Sequence, residues 1–397
     1  MLAEILLFIL LGIVAGTFTG LIPGVHINLI GAFIVSSMAS FFYLINIIYL
    51  AVFIASMAIA HTFVDFIPSI FLGCPDTDTE LSILPGHELL KKGEGFEAII
   101  LTCYGSLAAI FILVLISFPA IFIISKTYDS IKFLIPFLLI AVSLFLILSE
   151  KRKFSALLVF LLTGFLGLSV LNMAENSDKF LLPLLTGLFG SSMLLISIKN
   201  KSEIPKQKIT KVKEKIMKPL LGALIASPIC SFLPGLGSGQ AAIIGNTISR
   251  SDTKGFLVLL GATNTLVMGF SFISLYVIAR TRTGAAAAIQ DITGTLSLEL
   301  LILILSVVVI SGIISFFIAK SLAKFISQRI EKINYLKISI ATLIFLAIIV
   351  FLVSGFLGLT ILIASTLTGI YSISLGVRRT NMMGVLIIPT ILFYLLV

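Results

Sequence analysis

Two Pro-Gly pairs interrupt long hydrophobic stretches of this chain, and they stand in matching positions of its two halves. Pro23-Gly24 follows an apolar helical pattern with glycines at 12, 16 and 20, and Pro234-Gly235 follows a similar pattern that starts near Gly222. Proline removes a backbone donor and glycine permits unusual dihedral angles, so each pair interrupts a helix. Within lipid such a break is tolerated only when it is buried in protein or lines a cavity. Matched breaks in two halves of a chain indicate a transport site.

The composition assigns the chain to the helical membrane proteins. Of its 397 residues 59% are hydrophobic and only 11% are charged, whereas soluble domains carry roughly 25% charged residues. Apolar runs of about 20 residues recur along the chain, which is typical of α-helical spans rather than barrel strands. Residues 1–11 lack a basic segment and a cleavage site, so we expect them to belong to the mature protein. The prediction is an all-α polytopic protein, multi-pass in the cell membrane.

Charge and motifs exclude several functional classes. The 27 basic and 18 acidic side chains give a net charge of +9, which in a membrane protein indicates basic cytoplasmic loops rather than nucleic-acid binding. The three cysteines form no CxxC pair and no metal-site spacing. The sequence has no nucleophile–base motif, no Walker lysine and no HExxH. We therefore expect neither an enzyme nor an ATP-driven pump, and no metal or other resident cofactor.

A basic stretch over residues 199–218 divides the chain. It holds eight lysines and is interrupted by Pro205, which favours a solvated cytoplasmic linker close to anionic lipid headgroups. We predict a first transmembrane repeat at 1–198, a linker at 199–216 and a second repeat at 217–397. Residues 163–168 also resemble 354–359, at a shorter offset than the Pro-Gly pairs, so the second half has lost one span.

Apolar segments long enough for helices occur throughout both halves. The predicted segments are 2–20, 27–44, 46–73, 96–125, 132–149, 154–172 and 180–198 in the first half, and 217–232, 239–249, 254–279, 296–318, 338–354, 357–376 and 382–397 in the second. The basic residues at 320–337 predict an interfacial helix.

Basic and acidic loops predict the orientation of these segments. Lys91-Lys92, residues 151–153, the linker, residues 320–337 and Arg378-Arg379 are expected in the cytoplasm, and the acidic residues 175–178 outside. The span 96–125 then starts inside, whereas its counterpart 296–318 ends inside. The halves are therefore predicted to be inverted repeats, with paired broken or re-entrant helices at the Pro-Gly motifs, as in many secondary transporters.

The breaks supply candidate substrate-binding groups. A helix that begins after Pro-Gly directs unpaired N–H groups and the positive end of its dipole at the break, which suits a carboxylate or phosphate. Arginines at the end of an apolar segment add an anion clamp, or alternatively snorkelling anchors. For a single glycine, tight helix packing is the competing explanation. The candidates are Pro23, Gly24, His26, Asn28, Pro234, Gly235, Gly237, Ser238, Gly239, Gln240, Arg280 and Arg282.

Acidic residues supply candidates for a coupling ion, Na⁺ or H⁺. Asp76, Asp78 and Glu80 follow Pro75, and carboxylates within a membrane span are functional by default. They lack the glycine and glutamate of a calcium loop, and in an aqueous loop they would merely be solvated. Asp291 is a further candidate and the natural counter-ion of the arginines.

Other polar residues inside apolar spans are weaker candidates. His61 and Asp65 lie four residues apart on one helical face, as a proton-handling pair or, the favoured alternative, a packed hydrogen bond. The remaining ones are Asn246, Asn264 and Thr265.

Three ordered motifs resemble a known family. Glycines 12, 16 and 20 lead to Pro23-Gly24, the segment Pro68-Ser69-Ile70-Phe71-Leu72-Gly73 leads to Pro75, and residues 86–93 read GHELLKKG. Together with Leu233-Pro234-Gly235 and Gly237, they are similar to the large permease of the tripartite tricarboxylate transporters, TctA. The chain resembles a divergent, archaeal-type branch, because the family rarely has acids at 76, 78 and 80 or proline at 85. The resemblance implies a carboxylate transporter that works with a small membrane subunit and an extracytoplasmic binding protein.

The predicted function is secondary-active transport of a small organic anion, a carboxylate, driven by a cation. One alternative is a translocase of a lipid-linked phosphate such as polyprenyl phosphate, held by the arginines and the Pro-Gly amides. Another is a non-transporting scaffold, in which 21–28 and 232–240 would lie at the surface. The expected partners are the anion and the lipid bilayer, with no nucleic acid; a homo-oligomer is left open.

Overall fold

The protein is a bundle of helices. The computed structural model describes residues 2–22, 31, 34–35, 45–72, 79–173, 178–199, 205–209, 212, 215–232, 236–281, 283–330 and 335–396. Its α-helices are α1 (Leu2–Leu21), α2 (Ile47–Val64), α3 (Phe66–Leu72), α4 (Ile83–Lys91), α5 (Gly95–Ile131), α6 (Ile135–Leu148), α7 (Lys153–Leu171), α8 (Asp178–Leu185), α9 (Ser192–Lys199), α10 (Met217–Phe232), α11 (Ser238–Ser249), α12 (Thr253–Ile278), α13 (Gly284–Thr293), α14 (Leu298–Ser327), α15 (Tyr335–Ser374) and α16 (Gly384–Leu396). A π-helical turn at Thr186–Ser191 joins α8 to α9, and short 3₁₀ helices lie at Glu80–Ser82, Lys132–Leu134 and Arg379–Met383.

Eight helical segments in the described part of the chain are long and apolar enough to cross a membrane. They are Leu2–Leu21, Ile47–Leu72, Gly95–Lys126, Lys153–Leu171, Thr253–Ile278, Leu298–Ser327, Ser339–Ser374 and Arg379–Leu396. The predicted all-α polytopic class is therefore confirmed. The apolar segment predicted at 27–44 lies almost entirely outside the described residues.

Two predictions about the second half need correction or refinement. No separate interfacial helix starts at residue 320, because α14 continues unbroken to Ser327 and keeps Ala319, Ala323 and Ser327 buried. The spans predicted at 338–354 and 357–376 are confirmed as two helices, which together make up α15 and are separated by a kink at Gly355. That residue has φ 63° and ψ −158°, a conformation that is open essentially to glycine alone.

Two helical segments form the centre of the bundle: α12, and the continuous segment made by α2 and α3. Residues 257–275 of α12 are buried without exception, and so are residues 54–70 of α2 and α3. In contrast, α5, α7 and α15 expose large side chains such as Leu115, Phe165 and Leu352, as expected of surfaces that face lipid. Polar side chains on the two central helices are consequently shielded from lipid by protein.

The two halves contact each other at these central helices. Helix α12 of the second half packs on α5 of the first, where Ser106 Oγ donates to the Gly261 carbonyl at 3.0 Å. In exchange, α2 of the first half packs on α14 of the second. The division into repeats at 1–198 and 217–397 stays a prediction, but the contacts across it are reciprocal.

The directions of the central helices agree with an inverted relation. Helix α3 ends beside the start of α5, where a Cβ atom added to Gly95 would lie only 2.9 Å from the Phe71 ring. Helix α12 begins at the same corner, because Lys254 Nζ lies 2.6 Å from Glu97 Oε1. One central helix thus ends where the other begins. The inverted relation of the whole halves stays a prediction.

Part of the basic linker is docked rather than freely solvated. Gln207 is buried; its Oε1 accepts from the Gly95 N–H at 2.8 Å and its Nε2 donates to the Leu90 carbonyl at 3.1 Å. The Lys208 N–H donates to the Gly93 carbonyl at 2.7 Å. The linker therefore lies on the same side of the molecule as the turn between α4 and α5.

Candidate functional site

The helices on either side of the second Pro-Gly pair in the sequence, α10 and α11, form a helical hairpin. Helices α10 and α11 have 16 and 12 residues, fewer than the ~20 that a membrane span requires. They pack closely where a carbon on Gly245 would lie 2.9 Å from the Gly222 carbonyl oxygen. The open end of the hairpin lies at the first turn of α12, where Pro219 approaches Gly255. The two ends of the hairpin therefore lie together, as a re-entrant segment requires, and the re-entrant form itself stays a prediction.

The described part of the tip lies inside the protein. Gly237, Ser238, Gly239 and Gln240 are all buried, although Pro234 and Gly235 lie outside the described residues. Gly237 is the N-cap of α11, and its N–H donates to Gln240 Oε1 at 2.7 Å. Gln240 Nε2 is buried and has no hydrogen-bond partner among the described residues. A helix N-terminus and an unused amide donor therefore meet at this tip, a combination suited to an anion.

The first Pro-Gly pair lies outside the described residues, as do His26 and Asn28. Its flanks are held by neighbouring helices. A carbon on Gly20 of α1 would lie 2.9 Å from Val64 Cβ, and one on Gly31 would lie 2.9 Å from Ala288 Cβ of α13. That the two Pro-Gly pairs face one another stays a prediction.

Six polar side chains meet between the two halves, and we call them the inter-half polar cluster. Asn264 Nδ2 donates to Asp65 Oδ2 at 2.9 Å. The hydroxyls of Thr62 and Thr265 lie 3.2 Å apart, and Thr19 Oγ1 lies 3.0 Å from His61 Nδ1. The exposed fraction of every member is 4% or less; the members are Thr19, His61, Thr62, Asp65, Asn264 and Thr265. Sequence reasoning placed four of them among the weaker candidates, and the structure unites them.

The cluster lies at a break in a central helix. Helix α2 ends at Val64 and α3 begins at Phe66, because Pro68 has no N–H for the Val64 carbonyl. Next to the break, Ser69 Oγ donates to the Asp65 carbonyl at 2.8 Å and lies 2.6 Å from Thr79 Oγ1. The signal was present in the sequence, since an acid precedes a proline by three residues inside an apolar run.

Arg280 and Asp291, two of the predicted site residues, both lie at the surface. Arg280 is exposed and its guanidinium lies 5.3 Å from the centre of the Tyr394 ring. Asp291 is also exposed, because α13 buries its alanine face instead. Both residues are described, and no ion pair joins them; a contact of Asp291 with Arg282 stays a prediction. Arg282 lies outside the described residues, and the binding roles of both arginines stay predictions.

The acidic insertion packs partly into the protein. Thr79 and Ser82 are buried, and a carbon on Gly86 would lie 2.7 Å from the Ile70 side chain. Glu80 begins a 3₁₀ helix, whereas Asp76 and Asp78 lie outside the described residues. The coupling role of these three acids is therefore untested. Asn246 caps the end of α11, where its Oδ1 accepts from the Ser251 N–H at 3.1 Å.

His87 adds a perturbed group beside this insertion. Its Nε2 is buried, with no hydrogen-bond partner among the described residues. Burial, together with the positive charges of Lys91 and Arg379, lowers the pKa of His87 from 6.5 to about 4. The imidazole is consequently neutral at physiological pH.

Comparison with known proteins agrees with this architecture. Residues 6–384 match the profile of the tripartite tricarboxylate transporter TctA family. The chain belongs to the TctA family. It is also 35% identical to an uncharacterized protein of Methanocaldococcus jannaschii, over 98% of this chain and 99% of that protein. No solved structure matches. Membership of the TctA family identifies the chain as a multi-pass membrane component of a tricarboxylate transport system.

Proposed function

We propose that this TctA-family protein is a secondary-active transporter that moves a small carboxylate across the membrane, driven by a cation. The buried tip of the α10–α11 hairpin carries the proposal. Its N–H groups and the Gln240 amide donor are directed to a place that protein, rather than water, surrounds. A donor without a partner in such a place costs free energy unless a ligand satisfies it.

The donor set favours a carboxylate over a neutral substrate. Backbone N–H groups at a helix N-terminus carry partial positive charge, and they stabilise an anion without a fixed side-chain cation. This is consistent with Arg280, which lies at the surface over Tyr394 rather than in the tip. The family's transport of tricarboxylates points to the same class of substrate.

Alternating access would come from movement of the hairpin against the bundle. The hairpin touches α12 along small or compact residues such as Pro219, Gly222 and Gly255, and small residues let helices approach closely. Such contacts suit a unit that shifts as one body. The tripartite organisation of the family supports a small membrane subunit and an extracytoplasmic binding protein as partners.

The test is counterflow of radiolabelled citrate into proteoliposomes that contain the full chain and, if they are required, its partner subunits. Gln240→Glu keeps an oxygen for the Gly237 N–H but replaces the free donor by a negative charge. We expect a loss of citrate affinity of about tenfold or more, because a hydrogen bond to a charged group contributes roughly 1.5–3 kcal/mol. Gln328→Leu, at an exposed glutamine, is the matched control and should transport normally.

The same vesicles decide between the proposed substrate classes. Succinate and inorganic phosphate are tested as competitors of citrate, and a labelled polyprenyl phosphate is tested for transfer between leaflets. Transfer of the lipid without any carboxylate counterflow would replace the proposal by the lipid-phosphate translocase. Equal transport by wild type and Gln240→Glu would remove the hairpin tip from the substrate site.

A further inference from the structure

We infer that Asp65, paired with Asn264, is the proton-binding site that couples this transporter to a pH gradient. The coupling role rests on the proposed function, whereas proton binding at Asp65 can be measured without transport. The site differs from the acids at 76, 78, 80 and 291 that the sequence suggested.

The Asp65 carboxylate lies where a fixed charge is costly. Asp65 is 3% exposed and lies in the break between α2 and α3, within a membrane-spanning segment. Ionisable groups are costly at such depth and usually mark ion or proton pathways. A bound proton neutralises the carboxylate and removes that cost.

The partner of Asp65 can bond both the ionised and the protonated carboxyl group. Asn264 Nδ2 donates to Asp65 Oδ2 at 2.9 Å, which matches the ionised carboxylate. An asparagine amide also carries an acceptor oxygen, so after rotation it can accept a hydrogen bond from the protonated acid. Asn264 is therefore a partner for both protonation states.

Asp65 lies between the described flanks of the two Pro-Gly segments. A carbon on Gly20, three residues before Pro23, would lie 3.2 Å from the Asp65 nitrogen. On α12, Asn264 precedes Phe270 by six residues, or about 9 Å at 1.5 Å per residue. Phe270 makes an edge contact with Phe232 at the end of α10, with ring centres 6.4 Å apart. A change of charge at Asp65 thus occurs beside the flanks of both Pro-Gly segments.

Titratable and charged groups lie on several of the elements that pack around Asp65. His61 lies one turn earlier on its own helix, and α5, which packs on α3, carries the buried Cys103 and Glu97. Helices α1 and α12 bring neutral groups, Thr19, Asn264 and Thr265. Helices α13 and α14 also pack on α2, but their acids Asp291 and Glu299 are exposed. The charged or titratable side chains on α4, which packs on α3, are His87, Glu88 and Lys91.

The proposed step is simple in atoms and charge. The Asp65 carboxylate takes one proton from the side of higher proton concentration, the hairpin and its surroundings rearrange, and the acid releases that proton on the other side. No covalent bond other than the O–H bond forms or breaks.

Infrared difference spectroscopy of the purified full chain tests proton binding directly. Acidification of the wild type should produce the carbonyl stretching band of a buried protonated carboxylic acid, and this band should be absent in Asp65→Asn. Asp291→Asn, at an exposed acid, is the control and should keep the band. Persistence of the band in Asp65→Asn would overturn the inference. Asp65→Glu, which keeps a carboxyl group and should shift the band, remains available if the amide variant does not fold.

Citrate transport tests the coupling. Asp65→Asn should retain citrate counterflow, which needs no driving ion, and should lose accumulation driven by a pH gradient at least tenfold. Wild-type uptake that follows a Na⁺ gradient and ignores pH would overturn the coupling role. If the infrared band depends on Asp65 but the wild type carries no carboxylate, then the proposed function fails while the proton site stands.

Discussion

At the scale of the residue, Gly16 illustrates how closely the helices of the first half approach. A carbon added at Gly16 would collide with the Met57 carbonyl oxygen and with Ala60. The backbone on one side of that contact cannot move aside as a side chain can, so α1 and α2 would have to separate. Glycine at 12, 16 and 20 is thus explained by packing, in addition to any role near the break.

We predict that Gly16→Leu destabilises the protein by about 1–3 kcal/mol, the usual cost of overpacking. The measurement is the thermal unfolding midpoint of the full chain in detergent. Val14→Leu is the matched control, because Val14 is 67% exposed on the outer face of the same helix. Equal midpoints for both variants would show that α1 is not held against α2 as described.

His87 predicts a pH dependence of stability. In the folded protein the pKa of His87 is about 4, below the ordinary histidine value of 6.5. Between these two pH values the unfolded chain binds a proton at this side chain, whereas the folded chain does not. The free energy of unfolding is therefore unaffected by His87 protonation above pH 6.5, and it falls as the pH drops from 6.5 towards 4. A lowering of that size corresponds to about 3 kcal/mol. His87→Gln should flatten the fall in unfolding midpoint over this window, and an unchanged slope would contradict the assignment.

At the scale of the element, the docked linker joins the two halves outside the membrane spans. Gln207 satisfies both the Gly95 N–H and the Leu90 carbonyl, and Gly93, with φ 78°, allows the Lys206 carbonyl to come close. Nearby, Lys254 Nζ lies 2.6 Å from Glu97 Oε1. The turn between α4 and α5 is therefore fixed by the linker on one side and by α12 on the other.

We predict that Gln207→Leu detaches residues 205–209 from the turn between α4 and α5. Each backbone group left buried without a partner costs about 1–3 kcal/mol, so the turn and residues 205–209 should open more often. Amide hydrogen exchange at Gly95 and Lys208 should become faster. Lys206→Leu, at an exposed neighbour whose side chain makes none of these bonds, should show the exchange rates of the wild type. Identical exchange rates in the two variants would exclude this docking contact.

The elements themselves could be predicted from hydrophobic runs and their limits. The spans expected at 154–172 and 254–279 are observed as α7 and α12, shifted by a single residue. The end of α14 was not predicted correctly. Its basic face is typical of a helix at the membrane surface, but the opposite face carries buried alanine and serine that pack on the bundle, and the helix continues. Gln207 was missed for a similar reason, since nothing local distinguishes a docked glutamine from its solvated lysine neighbours.

The candidate site could be predicted only where it depends on local sequence. Gly237–Gln240 follows a Pro-Gly break and could be found from the motif alone. The bond between Asp65 and Asn264 joins residues 199 positions apart, so it depends on how α2 and α12 cross. The sequence marked both residues as unusual, but the arrangement of the helices decides that they meet.

At the scale of the whole molecule, the paired basic loops restrict how the bundle lies in a membrane. Arg378 Nε lies 3.3 Å from Glu150 Oε1, and Arg152 donates to the Leu375 carbonyl at 3.1 Å. Loops that touch must emerge on one side, and their positive charge favours the cytoplasm. The docking of residues 205–209 on the α4–α5 turn gives a second such pair.

These pairs, together with the helix directions, predict a testable topology. Asn46 at the start of α2 should lie outside and Ser251 before α12 should lie inside, because the corresponding central helices run in opposite directions. Single cysteines at these positions, in a chain whose native cysteines are replaced by serine, are labelled in intact cells with a membrane-impermeant maleimide. Asn46→Cys and the external control Ser297→Cys should react, whereas Ser251→Cys and the cytoplasmic control Lys208→Cys should react only after permeabilisation. Labelling of Asn46→Cys and Ser251→Cys from the same side would mean that the halves are not inverted, and the symmetric transport site would have to be abandoned with them.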